Sequence, residues 1–173
     1  MRRGIAEHMR RSVDTAAHVS SAIEVDMSKV VAARETLKKE YQSAYGVNPT
    51  YLAFIARATI EAIKNWPWVN AEIRGEQIVG KKYINLGVAV ALEGGKGLIV
   101  PVINQPQSAI LGTYALVKRP WVITDESGSD AIAIKPIMNI TLTYDHRLVD
   151  GALAGRFLRD LRARLESWED EAE

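Results

Sequence analysis

From Ala71 to Asp145 the apolar residues come only in short runs broken by turn residues: "AEIRG", "EQIVG", "INLGVAVALE", "GLIVPVI", "SAILGTYALV", "WVITD" and "IMNITLTYD". Runs of this length, rich in Val, Ile and Tyr and bounded by Gly, Asn and Asp, form strands rather than helices. "ESGSD" (126–130) is a hairpin-type turn between two of them. Before this block the spacing is helical. Ile5, Met9 and Val13 stand four apart, as in a short helix lying on an apolar surface. "HVSSAIEVDM" follows as a strand, with Val19, Ala22, Ile23 and Val25 among polar residues. A helix is expected from about Ser28 to Tyr45, with Ser28 as N-cap and Gly46 as its stop. "TYLAFIARATIEAIKNW" is apolar on nearly every side, a buried helix capped by Thr50 and ended by Pro67. After the strands a last helix begins near Gly151, with Leu153, Phe157, Leu158, Leu161 and Leu165 on one face. This order predicts an α+β fold, a mixed β-sheet or an antiparallel one, with helices packed on one side.

The chain has 173 residues, enough for one domain with a core that needs neither disulfide nor metal. At 47% hydrophobic and 25% charged it is neither disordered nor fibrous. A formal net charge of +1 argues against nucleic acid as the main partner. The absence of cysteine removes thiolate metal sites and a cysteine nucleophile together, and His8, His18 and His146 are too scattered for a metal cluster. With no run of 18 apolar residues and no apolar centre in "MRRGIAEHMRRS", a membrane is not expected, and the cytoplasm is the default compartment. The start is basic (Arg2, Arg3, Arg10, Arg11) and the finish, "ESWEDEAE", acidic. These are two solvated helix faces, or else an intersubunit contact or docking surface.

Chemistry concentrates at "TYDHRLVDGALAGRFL" (143–158). Alternation through Ile140, Leu142 and Tyr144 delivers His146 into the loop after a strand, where rigid frames tend to present functional groups. Histidine ionises near neutrality, so it suits the removal of a proton from a thiol or hydroxyl. Asp150, one helical turn on, could place a charge near the imidazole or near an arginine that braces the loop. From these residues alone a base and an ordinary polar residue at a sheet edge both stay open. There is no Gly-x-Ser-x-Gly, P-loop or Rossmann glycine set.

"LTYDHRLVDGALAGRFL" closely resembles the signature of the catalytic domain of the dihydrolipoamide acyltransferases, the cores of 2-oxo acid dehydrogenase complexes; chloramphenicol acetyltransferase shares the fold and the HxxxDG pattern. "RGIAEHMRRSVDTAAHVSSAIEVDMSKV" is similar to that family's first helix and strand, "NAEIRGEQIVGKKYINLGVAVALEGGKGLIVPVI" to its central strands, and "NQPQSAILGTYALVKRP" to the strand pair before the signature. The resemblance implies a catalytic domain over 1–173 that passes an acyl group between the lipoyl arm of a separate domain and the substrate coenzyme A, without a metal. It gives His146 the role of general base on a thiol whose free pKa of about 8.5 leaves it mostly protonated at neutral pH. It gives Asp150 an ion pair with an arginine that steadies the loop, and Arg34 the position of that arginine, although in "AARETLKKE" Arg34 otherwise reads as a helix-surface charge. It further implies a homotrimer or a larger trimer-based assembly with sites between subunits. The lipoyl domain and the decarboxylase and dihydrolipoamide dehydrogenase components of the complex would be its partners. The chain itself shows no lipoyl or peripheral-subunit-binding domain, as expected of a catalytic fragment.

One departure stands out. In the family a long helix and a strand follow "GLIVPVI", and that strand carries the serine or threonine whose hydroxyl stabilises the oxyanion. Here Ile103 runs straight into Asn104, while Ser108 and Thr113 align with other positions. The stretch lies outside this sequence, was deleted by design, or was lost naturally. In the first case Ile103 and Asn104 should sit farther apart than the roughly 3.8 Å of one trans peptide. The alternatives to an enzyme core are a trimeric scaffold or cage subunit with impaired catalysis and, more remotely, an antibiotic O-acetyltransferase.

Overall fold

A computed structural model describes residues 2–91, 94, 98–99 and 109–169. The Ile103–Asn104 junction lies outside the described residues. The order is α1 (Arg2–Thr15), β1 (His18–Asp26), α2 (Ser28–Tyr45), α3 (Tyr51–Asn65), a 3-10 turn (Pro67–Asn70), β2 (Ala71–Arg74), β3 (Gln77–Gly80), β4 (Val90–Ala91), β5 (Leu98–Ile99), β6 (Ala109–Thr113), β7 (Val117–Thr124), β8 (Asp130–Asp145) and α4 (Gly151–Glu166). The α+β class is as expected, and every strand pairing among the described residues is antiparallel.

β8 organises the molecule. Its 16 residues pair with β7 over the first half and with β1 and β6 on opposite sides over the second, in the order β1-β8-β6. Its alternation sends Met138, Ile140, Leu142 and Tyr144 into the core, against Ala154, Phe157, Leu158, Leu161 and Leu165 of α4 and Phe54, Ile55 and Ala58 of α3. Thr141 and Thr143 alternate with them onto the other face, where Thr143 shares a 2.7 Å hydrogen bond with Ser20 of β1. Beside Thr141 the β6 position is tight: a Cβ on Gly112 would lie 2.5 Å from the Thr141 Oγ1 and would force that side chain to move. Asn65 Nδ2 and Trp66 Nε1 both donate to Asp160 Oδ2 (2.9 and 3.1 Å), pinning the end of α3 to α4.

Several local details differ from expectation. Ser28 is the first residue of α2 and not its N-cap; Met27 holds the cap position. The Asp26 carboxylate accepts from the Ser28 N–H (2.9 Å) and hydroxyl (2.5 Å), so the acid two residues upstream takes the orphan donor that a serine cap would have served. Thr50 does precede α3 but makes no side-chain cap bond. Gly46 ends α2 as expected, at φ 67°, a left-handed conformation that glycine adopts without strain. Within "INLGVAVALE" only Val90–Ala91 pairs as a strand among the described residues. α1 forms where the spacing places it, yet its apolar row is uncovered in the single chain: Ile5, Met9 and Val13 are 57%, 60% and 70% exposed.

Candidate active site

β8 ends at Asp145, and a short turn carries the chain to α4, with the Asp145 carbonyl accepting from the N–H groups of Leu148 and Val149, each at 3.0 Å. Val149 is buried and anchors the far side of the turn, while His146 and Arg147 remain exposed. The His146 backbone N–H donates to the Ala17 carbonyl at 2.7 Å. Its ring lies 6.1 Å from that of Tyr144, centroid to centroid, tilted by 30°. The imidazole makes no hydrogen bond among the described residues.

Asp150 occupies the N-cap of α4, where Oδ1 accepts from the Leu153 N–H at 2.7 Å. A carboxylate is well placed there, since it satisfies an orphan donor at the positive end of the helix. Arg34 is engaged elsewhere: Nε donates to the Pro49 carbonyl at 2.8 Å, Nη1 to Glu35 at 2.9 Å, and the guanidinium lies 5.0 Å from the centroid of the Tyr51 ring. No hydrogen bond or ion pair joins Arg34 to Asp150 among the described residues. Within this chain Arg34 braces α2 against the 46–50 connection, and the acid of the signature braces its own helix.

The group that clasps the loop is one the sequence did not single out. The Arg147 guanidinium grips both oxygens of Asp145, Nε at 3.0 and 3.1 Å and Nη2 at 2.6 Å. Asp145 Oδ1 also accepts the backbone N–H groups of Arg147 (3.1 Å) and Ala17 (3.2 Å). The guanidinium bond, with those backbone donors, outweighs partial burial and pulls the Asp145 carboxyl down to about 2, while Arg147 is raised in turn. A depressed carboxylate stabilises the fold above its unfolded pKa. That contribution is lost only as pH falls from the ordinary carboxylate range through about 2. An acid two residues before an arginine, straddling a histidine, was the available signal.

Neither of two grooves on the described surface borders His146. The larger, about 680 Å³, runs along the outer side of α4 past Gly151, Gly155, Arg156, Arg159 and Ile23. The smaller, about 410 Å³, lies between Trp68 and Lys81. Among the described residues no group of three or more His, Asp or Glu could hold a metal ion.

The catalytic-domain model of the 2-oxoacid dehydrogenase acyltransferases matches residues 1–105 and 99–171, and the chain belongs to this family. A succinyltransferase component of the 2-oxoglutarate dehydrogenase complex from Rickettsia bellii is 34% identical over an alignment of 221 positions, covering 96% of this chain and 54% of that protein. The structure superposes on a probable dihydrolipoamide acetyltransferase from Listeria monocytogenes with a TM-score of 0.88 at 28% identity, covering 99% and 94% of the two chains. The dihydrolipoamide acetyltransferase of Azotobacter vinelandii shares the fold, with a TM-score of 0.81 at 22% identity and coverage of 94% and 86%. That enzyme was investigated for the catalytic roles of a serine, a histidine and an asparagine four positions after the histidine. The chain thus spans about half the length of the Rickettsia relative. The alignment with the Rickettsia relative is longer than this chain, and the two matches to the family model overlap at residues 99–105.

Proposed function

We propose that this chain is the catalytic core that passes an acyl group between a dihydrolipoyl thiol and coenzyme A, with His146 as general base. The observation that carries this reading is the placement of His146: at the end of the central strand, its imidazole without a hydrogen bond among the described residues, four residues before the acid that caps α4, in a fold of this family. The neutral imidazole takes the proton of the coenzyme A thiol, and the thiolate attacks the thioester carbonyl of the acylated lipoyl arm. The tetrahedral intermediate then expels the dihydrolipoyl thiolate, which recovers the proton from the imidazolium. The spacing of histidine and acid parallels the histidine and asparagine studied in the A. vinelandii enzyme. Nothing in this chain corresponds to the segment that carries the family's oxyanion donor. Loss of one such donor costs on the order of 100- to 1000-fold in turnover, so slow catalysis is expected. Assays with the coenzyme A thioesters of acetate, succinate and a branched-chain acid, each with dihydrolipoamide, test the reading and identify the acyl group; inertness towards all three contradicts it.

The reading includes a trimer or a multiple of it, served by a lipoyl domain and by the decarboxylase and dihydrolipoamide dehydrogenase components. Support comes from apolar residues that a single chain leaves bare: the α1 row, and on the β7–β8 ribbon Val122, Ile132 and Ile134, the last two 78% and 73% exposed. Sedimentation at micromolar concentration should give a mass that is a multiple of three chains, whereas a monomer contradicts this part of the proposal. A second reading, a scaffold with little catalysis, is favoured by the missing stretch and would show as intact trimers without turnover.

A further inference from the structure

The loop that carries His146 buries little of its own. His146 and Arg147 are exposed, Val149 is sunk in the core and Leu148 packs partly buried against it. What holds the start of the loop is a latch on one residue, Ala17, in the short connection between α1 and β1. The Ala17 carbonyl receives the His146 N–H at 2.7 Å, and the Ala17 N–H is received by Asp145 Oδ1 at 3.2 Å. Arg147 closes over the same carboxylate with three side-chain contacts of 2.6–3.1 Å. The residues on either side of His146 are therefore clasped to each other, and the histidine backbone is fixed between them.

We propose that Asp145 and Arg147 are positioning residues for His146: their bidentate pair, latched to Ala17, sets the backbone from which the imidazole projects and so the approach of the base to the thiol. The proposal rests on the reading of His146 as general base. The latch is separable from the fold. The β1–β8 ladder runs through the pairs His18↔Asp145 to Asp26↔Ile137, and the Asp145 and Arg147 side chains contribute nothing to its backbone hydrogen bonds. The inner partner is 12% exposed and the outer one 49%, so the clasp sits at the rim of the molecule and not in its core. Bidentate geometry matters here, because lysine can neutralise the carboxylate but cannot span both oxygens. The Asp145 carboxyl stays ionised far below neutrality, so the latch holds unchanged across any practical assay pH.

The test compares Asp145→Ala, Arg147→Gln and Arg147→Lys with wild type, with His146→Ala, and with Asp145→Ala built into His146→Ala. A misplacement of about 1 Å can lower turnover on the order of 100-fold. Accordingly kcat should fall roughly 10- to 100-fold in Asp145→Ala and Arg147→Gln, equally at every pH from 6 to 8. KM for coenzyme A should stay within about twofold, and Arg147→Lys should recover part of the loss. In the His146→Ala background Asp145→Ala should cost nothing further, since groups acting through one base are not additive. Wild-type kcat in both latch variants while His146→Ala is inactive would overturn the latch and leave the base standing. A full further loss in the double variant would likewise overturn it. Activity retained by His146→Ala would overturn the base, and with it the latch. Should Asp145→Ala fail to fold, Arg147→Gln, which removes only the exposed half of the pair, decides the matter.

Discussion

His146→Ala is expected to lower acyl transfer between dihydrolipoamide and coenzyme A by about 100- to 10 000-fold, the range that a positioned general base contributes. The loss should fall on kcat, because the imidazole acts on the thiol proton and offers little grip on the rest of coenzyme A. Folding should be untouched. The side chain is exposed, and the bond from the residue's backbone N–H to the Ala17 carbonyl survives substitution. Initial rates at saturating and subsaturating coenzyme A separate kcat from KM. A variant that keeps more than about a tenth of wild-type kcat would mean that the proton is taken by another group.

Phe157→Ala is expected to cost about 3–5 kcal/mol of stability, the range for a large aromatic side chain removed from a packed interior. Phe157 is 1% exposed on the inner face of α4, in the cluster that joins that helix to Leu142 and Tyr144 of β8. A native domain has only about 5–15 kcal/mol in total, so this one truncation should bring the chain close to unfolding at 37 °C. Phe157→Leu, which keeps most of the volume, should cost far less. Urea unfolding at fixed protein concentration is the measurement, and the midpoint should move without a change in slope. A loss below about 1 kcal/mol in the alanine variant would show that α4 is not seated against the sheet as described.

Where periodicity alone decides the structure, the sequence told the truth. The alternation of Ile140, Leu142 and Tyr144 placed those side chains inward, and the apolar face of α4 was legible down to Leu161 and Leu165. The loop that presents His146 followed from the strand that ends before it. What escaped were the places where several partners compete for one group. Arg34 could be assigned to Asp150 only by resemblance. In the folded chain the Pro49 carbonyl and the Tyr51 ring are nearer claims on the guanidinium, and the Leu153 N–H claims the acid. Ser28 lost its capping place because Asp26 stood two residues ahead with a stronger acceptor. The Asp145–Arg147 clasp escaped because an acid and an arginine two residues apart can pair or turn to other partners, and local pattern does not choose between these. The β1–β8 ladder pairs residues more than a hundred positions apart, such as Ser21 with Leu142, and local pattern carries no trace of that.

If this chain is a working acyltransferase core, it should transfer an acyl group from S-acyldihydrolipoamide to coenzyme A, a reaction followed by the appearance of acyl-coenzyme A. The chain should form this product over many turnovers at a rate that saturates in both substrates, and should form none with an acceptor analogue that lacks the thiol. Intact trimers that yield no acyl-coenzyme A above the enzyme-free reaction, with acetyl, succinyl or branched-chain donors alike, would contradict the account and leave a scaffold in its place.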